Sequence, residues 1–204
     1  MRVEMESENK QRCQTALYNK EEVLARRTGF SDSQGYGGME QENLNLSKNQ
    51  IQDSQASAII RQVHDKQLLI VHPRKRNGLI LYKRYHAEFA GPGAAVGGLF
   101  DLDCQRVLPV GNLSLLTPES ADERQQAYKI RLGWIRLIRQ ITDKPVPLER
   151  AQRILNQFEG FFDGETIAKV PDEAFALLVG VLPHTIRKVR DTADRVDVNV
   201  SRAN

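Results

Sequence analysis

The sequence predicts an α+β fold in which helices dominate the C-terminal half. Apolar residues recur at intervals of three and four between positions 127 and 162, the spacing of a buried helical face. Upstream, two β-prone runs lie on either side of the pair Asn77-Gly78. We therefore expect a small β element at residues 56–118, with a basic hairpin and a Gly-rich loop. A helical domain at residues 119–195 follows it, and its last two helices are predicted to meet at a sharp turn.

The two ends of the chain differ in composition from this central region. Residues 1–55 are rich in Glu, Gln, Asn, Ser and Lys, and they bury too little apolar surface to offset the entropy of ordering. We expect a disordered polar tail with one short helix between Thr15 and Arg27. The alternative is that this helix docks on the domain or binds a partner protein. Residues 196–204 are expected to form a second, short polar tail.

The β element is predicted to be a hairpin of Leu68–His72 and Leu79–Tyr85, with Asn77-Gly78 as its turn. Three basic residues project from the tip of this hairpin. They either keep an exposed strand soluble or bind a sugar-phosphate backbone. These residues are Arg74, Lys75 and Arg76.

Two segments after the hairpin carry weaker signals. The glycine-rich segment 91–98 lacks the Gly-Lys-Ser/Thr ending of a phosphate-binding loop, so it is expected to be a flexible connection. The segment Arg106–Leu116 predicts one or two short strands, and Pro109 argues against a central position in a sheet.

Two amphipathic helices are predicted next. Thr117 and Pro118 resemble a helix start, with Thr117 as the N-cap. Pro145 and Pro147 separate the first helix from the second, and Asp163-Gly164 is expected to be the turn after it. The buried stripe of the first helix comprises Ala127, Ile130, Trp134, Leu137, Ile138 and Ile141, and that of the second comprises Leu148, Ala151, Ile154, Leu155, Phe158 and Phe162.

The most specific pattern in the chain is the twenty-residue run DEAFALLVGVLPHTIRKVRD. In it, Ala176 lies four positions before Gly180, and Ile186 and Val189 follow this glycine by six and nine positions. Two helices that cross at a short turn need a small residue at their closest approach and a glycine with positive φ at the turn. They also need apolar residues that seal the angle between them. All of these positions are filled here.

With this spacing, residues 172–191 resemble the helix-turn-helix of bacterial-type DNA-binding regulators, without indicating a subfamily. The resemblance implies that a helix from about Pro183 to Ala193 enters the major groove and presents side chains to base edges. Arg187 or Lys188 can donate to guanine, whereas Thr185 can contact a phosphate or a thymine methyl group. The alternative is a plain helical hairpin whose glycine only ends a helix. The candidate DNA-binding residues are His184, Thr185, Arg187, Lys188 and Arg190, together with Arg74, Lys75 and Arg76.

The charge distribution is consistent with a nucleic-acid partner. The chain carries a net charge of +3, but residues 56–90 alone hold seven Lys or Arg against two Asp or Glu. We expect a sequence-specific transcriptional regulator that binds double-stranded DNA, and the resemblance implies a homodimer on a two-fold site. The helix at Ser120–Thr142 is a candidate dimer surface. One alternative is a protein-interaction adaptor that uses the N-terminal tail and a helical face, and another is an RNA-binding protein that uses the basic hairpin.

The sequence gives no indication of an enzyme. None of the four histidines lies in an HExxH or Cys-His pattern, and no GxSxG run frames a nucleophile, so neither a metal nor a cofactor is expected. Cys13 and Cys104 are far apart and lack the spacing of metal ligands, which is typical of a reducing compartment. The chain shows no apolar signal region and no run near 18 apolar residues, so we expect a soluble, cytoplasmic protein without membrane contact.

Overall fold

The computed structural model describes the backbone of residues 54–201 and the side chains of residues 54–192. The described part confirms the α+β class, with helices concentrated in the C-terminal half. The predicted tail helix at Thr15–Arg27 lies outside it. The elements are α1 (54–64), β1 (Leu68–Val71), β2 (Asn77–Tyr82), β3 (Ala87–Ala90), β4 (Ala95–Gly97), β5 (Arg106–Gly111), β6 (Leu115–Leu116), α2 (Ala121–Thr142), α3 (Pro147–Glu159), α4 (Gly164–Ala168), α5 (Asp172–Val179) and α6 (Pro183–Ser201).

The strands form two antiparallel three-stranded sheets. Sheet A has the order β4-β1-β6, and sheet B has the order β3-β2-β5. Because side chains alternate along a strand, sheet B has two apolar faces. Leu79 and Leu81 pack with sheet A and α1, whereas Ile80 and Phe89 pack with the helices. Sheet B therefore packs on sheet A with one face and on the helical domain with the other, while α2 also packs against β4 of sheet A.

The predicted pairing of Leu68–His72 with Leu79–Tyr85 is wrong. Strand β1 pairs with β4 and β6, and β2 pairs with β3 and β5, so the two runs belong to different sheets. The pair Asn77-Gly78 begins β2 and forms no turn. A Cβ atom on Gly78 would lie 2.5 Å from ring carbons of Phe89, so this glycine is needed for close packing. The actual hairpin connects β2 to β3, and its tip is Arg84-Tyr85, where the Lys83 N–H donates to His86 O (2.9 Å).

The glycine-rich segment 91–98 is not a flexible connection, because it is mostly buried and contains β4. A Cβ atom on Gly91 would lie 2.3 Å from ring carbons of Trp134, and one on Gly93 would lie 2.9 Å from Ile130. The glycines thus let α2 pack directly against the backbone. The two strands predicted within Arg106–Leu116 are β5 and β6, and β5 holds Pro109 at the edge of sheet B.

Helix α2 begins three residues later than predicted. Its N-cap is Ser120, whose Oγ accepts a hydrogen bond from the Glu123 N–H (3.1 Å). The Glu123 carboxylate in turn accepts from the Glu119 N–H (2.8 Å), so the two side chains satisfy backbone donors at the helix start. Thr117 is therefore not the cap. Most of the predicted stripe of α2 is confirmed as its inner face. Leu137, however, is only half-buried and belongs to neither apolar core, and Arg131 is buried on this face.

Two further boundaries differ from the prediction. Asp163 is the N-cap of α4, since its Oδ1 accepts from the Thr166 N–H (2.8 Å), and Gly164 is the first residue of this short helix. Helix α6 continues to Ser201, past both the predicted end at Ala193 and the start of the predicted tail at residue 196. No glycine or proline follows Pro183, so nothing in the local sequence breaks the helix. In α3, Leu148 is exposed, unlike the rest of the predicted stripe.

Candidate nucleic-acid interface

The turn between α5 and α6 has the backbone geometry that the glycine spacing predicts. Gly180 has φ +62° and ψ +49°, in the left-handed region, and its N–H donates to Ala176 O. The Val181 N–H donates to the same carbonyl (3.0 Å). The site of a Cβ atom on Gly180 is open, with the nearest heavy atom 3.9 Å away on Arg150. Glycine is thus favoured at this position because of its positive φ and not because a side chain would clash with its neighbours.

The three positions that the spacing assigns to the interior are all buried. Ala176 lies at the close approach of the helices, while Ile186 and Val189 face inward from α6. Helix α3 packs against both α5 and α6 and adds Phe158, which contacts the ring of Phe175 edge-on with 4.8 Å between centroids. The unit therefore has a continuous apolar interior that includes a third helix.

The outer face of α6 carries most of the predicted reading residues. His184, Arg187 and Lys188 are exposed, and the Arg187 side chain is 72% exposed. Thr185 is half-buried. Three of these residues, together with two polar neighbours, surround one shallow surface depression of about 300 Å³, which shows that they face the same side of the helix. The lining residues are His184, Arg187, Lys188, Asp191 and Thr192.

Arg190 differs from the other predicted DNA contacts because its guanidinium is already engaged within the fold. It donates to Ile167 O (3.2 Å) and Val170 O (2.8 Å), the carbonyls at the end of α4. It also lies 5.2 Å from the Phe175 ring centroid and 3.1 Å from an oxygen of Asp172. The other oxygen of Asp172 lies 3.3 Å from Nε of Arg187. Asp172 thus joins the start of α5 to the middle of α6.

The structure does not bring the loop of Arg74, Lys75 and Arg76 to α6. This loop is exposed and connects β1 to β2, and it precedes Asn77 at the first end of β2. The helical unit is reached at the other end of β2, where Tyr82 pairs with Arg106 and Arg106 lies 3.9 Å from Glu173 of α5. The two ends of β2 are five residue steps, or about 17 Å, apart.

A different basic turn lies at the end of sheet B that reaches α5. It is the tip of the β2–β3 hairpin, where Arg84, Tyr85 and His86 are exposed and Tyr85 is 78% exposed. The Arg84 guanidinium lies 5.1 Å from the Tyr85 ring centroid. The Asn77-Gly78 pair predicts the turn about six residues before its actual position at Lys83–His86. The polar run Lys83–His86 between two apolar runs is the signal that identifies the actual turn.

A buried ionic cluster, which sequence reasoning missed, fixes this hairpin to α2. Asp101 accepts at its Oδ1 from Lys83 Nζ (3.1 Å) and from Arg131 Nη2 (3.3 Å). Its Oδ2 accepts from the Gly97 N–H (2.8 Å). Arg131 also pairs with Glu88 of β3 (2.5 Å). Since each charged side chain of the cluster has an oppositely charged partner inside the fold, we assign the cluster a structural role.

The cluster also sets the ionisation of Glu88. Burial by itself would raise the pKa of this carboxyl group. The charge and hydrogen bond of Arg131 outweigh burial, with help from Lys83 and His86, so the pKa of Glu88 is lowered from its ordinary value. Glu88 is therefore ionised at neutral pH.

No three His, Cys, Asp or Glu side chains within residues 54–192 are grouped so that they could hold a metal ion. None of the helices in the described part has the length and apolarity needed to cross a membrane. Comparison of the chain with protein-family models, curated proteins and solved structures found no match.

Proposed function

We propose that this protein binds double-stranded DNA through α6 and acts as a sequence-specific transcriptional regulator. The observation that supports this proposal is the unit formed by α5, Gly180 and α6. Its inner face is sealed by Ala176 and Ile186, and its outer face presents Arg187 and Lys188 to solvent. In helix-turn-helix units, the second helix lies in the major groove with its N-terminal residues at the base edges.

The exposed side chains of α6 have the chemistry that base reading requires. Arg187 and Lys188 carry donors that fit the O6 and N7 acceptors of guanine, the commonest specific contact in the major groove. His184 lies one turn earlier on the same face and adds a further donor or acceptor. Arg190 is not among the residues proposed to contact bases, because its guanidinium already donates to the carbonyl groups of Ile167 and Val170. The residues of α6 proposed to contact DNA are therefore fewer than those named from the sequence.

The charge of this surface is modest, which bears on how the protein would bind. Asp172 pairs with Arg187, and Asp191 lies in the same depression as Lys188. Backbone attraction alone would give weak and strongly salt-dependent binding. We therefore propose a homodimer on a two-fold site, because two reading helices one DNA turn apart multiply the affinity.

In vitro selection of random duplex DNA on the purified full-length protein tests the proposal. The parent should enrich a motif, and an Arg187→Ala/Lys188→Ala variant should not. An Arg153→Ala/Lys169→Ala variant removes the same charge from exposed sites on α3 and just after α4 and is the matched control. The control should enrich the parental motif. A folded parent that enriches no sequence would contradict the proposal.

A protein-interaction adaptor is the second candidate, and one observation favours it. Leu99, Phe100 and Leu102 are all exposed in a single loop, and Asp101 between them is anchored by the ionic cluster. Grouped exposed apolar side chains on a rigid loop are typical of interaction surfaces. This candidate predicts partner binding that is lost in a Leu99→Ser/Phe100→Ser variant and DNA binding that shows no sequence preference.

A further inference from the structure

We infer that the tip of the β2–β3 hairpin, residues 84–86, binds the phosphate backbone of the same DNA beside α6. The inference rests on the proposed function, and it adds a second contact element to it. From the sequence, the turn is expected at Asn77-Gly78 and the basic tip at residues 74–76, with Arg84 and His86 on the return strand of the basic hairpin.

The position of the tip follows from strand register. Tyr82 is the last residue of β2, and it pairs with Ala87 on one side and with Arg106 on the other. The tip therefore extends beyond the end of sheet B that carries Arg106. The Arg106 guanidinium lies 4.0 Å from the Tyr82 ring centroid and 3.9 Å from the Glu173 carboxylate. This end of the sheet is thus adjacent to the first turn of α5.

The first turn of α5 continues the surface to α6. Asp172 precedes Glu173, and its carboxylate lies 3.3 Å from Nε of Arg187. Arg106, Glu173, Asp172 and Arg187 therefore form a continuous series of neighbouring side chains between the hairpin and α6. A duplex whose major groove receives α6 has its phosphate backbones on either side of that helix, and we place the tip at the backbone on the side of α5.

The side chains of the tip suit a phosphate. Among the described residues, Arg84 has no ion-pair partner, whereas Arg187 and Arg106 each have an acidic one. Its guanidinium is held near the Tyr85 ring, and a planar fork of donors matches phosphate oxygens. The Tyr85 hydroxyl can donate to a second phosphate oxygen. The tip therefore offers an unpaired positive charge and a donor at one exposed turn.

The loop at residues 74–76 provides a comparison within the same molecule. It carries three positive charges and is equally exposed, yet it lies at the opposite end of β2, about 17 Å away. If charge alone determines the affinity for DNA, substitutions in this loop should lower the affinity more than substitutions in the tip. If position determines the affinity, only substitutions in the tip should lower it.

The test is DNA binding by the full-length protein, measured by fluorescence anisotropy over a series of salt concentrations. The probes are a labelled random-sequence duplex pool and the duplex enriched by selection. The variants are Arg84→Ala and Arg84→Glu, with Arg74→Ala and Arg74→Glu as matched controls and Arg187→Ala/Lys188→Ala as the reference for the reading helix. Both arginines are exposed, so thermal unfolding should match the parent in all four single variants.

We expect Arg84→Ala to weaken binding to both probes by a similar factor, about three- to tenfold, because phosphate contacts position the protein without reading sequence. The slope of log affinity against log salt should become shallower by about 0.9 for the lost phosphate. Arg84→Glu should weaken binding further, and the Arg74 variants should stay within about twofold of the parent.

The other outcomes overturn the inference in distinguishable ways. If Arg84→Ala binds like the parent while Arg187→Ala/Lys188→Ala does not, the proposed function stands and the role of the tip is wrong. Equal losses in the Arg84 and Arg74 variants would show a general charge effect, which also overturns the role of the tip. If the folded parent binds neither probe, the inference fails together with the proposed function.

Discussion

Asp172 and Arg190 form an ion pair, with 3.1 Å between Oδ1 and Nη1, that joins the first turn of α5 to the middle of α6. The same guanidinium donates to the carbonyls of Ile167 and Val170, and the Ile167 carbonyl also accepts from the Val170 N–H (3.1 Å). One side chain thus connects three helices. Arg190 belongs to the proposed reading helix in sequence, but its contacts are those of a residue that holds the helical unit together.

Arg190→Ala should destabilise the fold by about 2–3 kcal/mol, because two carbonyls and the Asp172 carboxylate lose a charged partner. Arg190→Lys should recover less than half of this loss, since an ammonium group cannot reproduce the forked contacts. Urea unfolding measures both variants. Arg187→Ala is the control on the same helix, and its side chain is 72% exposed, so it should stay within about 0.5 kcal/mol of the parent. Equal losses at the two positions would contradict the assignment.

Arg187→Ala should act on DNA recognition instead of stability. We expect it to reduce affinity for the selected duplex by about 1–3 kcal/mol, the value of one base contact, and affinity for random duplex much less. The ratio of the two affinities, measured at one salt concentration, is the decisive quantity. Arg153→Ala removes the same charge from an exposed pair with Glu149 on α3 and should leave the ratio unchanged. An unchanged ratio in Arg187→Ala would contradict the proposal that this residue contacts a base.

The loss of stability caused by a substitution at Gly180 should depend on how well the new residue tolerates the backbone conformation and not on the size of its side chain. Since the space beside it is open, Gly180→Val is expected to destabilise by about 2 kcal/mol through the left-handed φ alone. Gly180→Asn should cost about 1 kcal/mol less, because asparagine tolerates this region better. Gly164→Ala is the control, since it lies in α4 with nothing within 4 Å of its Cβ position, and it should be neutral or slightly stabilising. Similar stabilities for the Val and Asn variants would show that strain is not the cause.

The elements predicted correctly from the sequence are those whose signals are local. The inner faces of α2 and α3 follow from apolar residues at helical spacing, and the sealed turn follows from the distances between Ala176, Gly180 and Ile186. Each pattern lies within one or two helices. A local pattern therefore predicts such elements without knowledge of their partners.

The failures have non-local causes. Gly78 and Gly91 are glycines because Phe89 and Trp134 approach their backbone, and no local pattern distinguishes this from a turn. Likewise, the partners of Arg131 are Glu88 and Asp101, which are 43 and 30 residues away. Sequence alone does not indicate which positive charges are paired inside the fold. The candidate DNA-binding residues named from the sequence therefore include one arginine, Arg190, whose guanidinium is engaged inside the fold.

The ionic cluster gives the fold a specific sensitivity to acid through Glu88. Its pKa is lowered in the folded protein, so its contribution to stability is present above the ordinary value of 4.5 and is lost as pH falls through the folded value. Glu88→Gln keeps an acceptor for Arg131 but removes the charge. The free energy of unfolding should therefore drop by about 1–2 kcal/mol at pH 7.

This difference should shrink as the pH falls below 4.5 through the lowered pKa of Glu88, because the parent then protonates this carboxyl group and loses the same interaction. Glu149→Gln removes the carboxylate of an exposed pair on α3 and should stay within about 0.5 kcal/mol of the parent throughout. Urea unfolding at several pH values measures all three proteins. A Glu88→Gln deficit that stays constant with pH would show that the charge of Glu88 is not what stabilises the cluster.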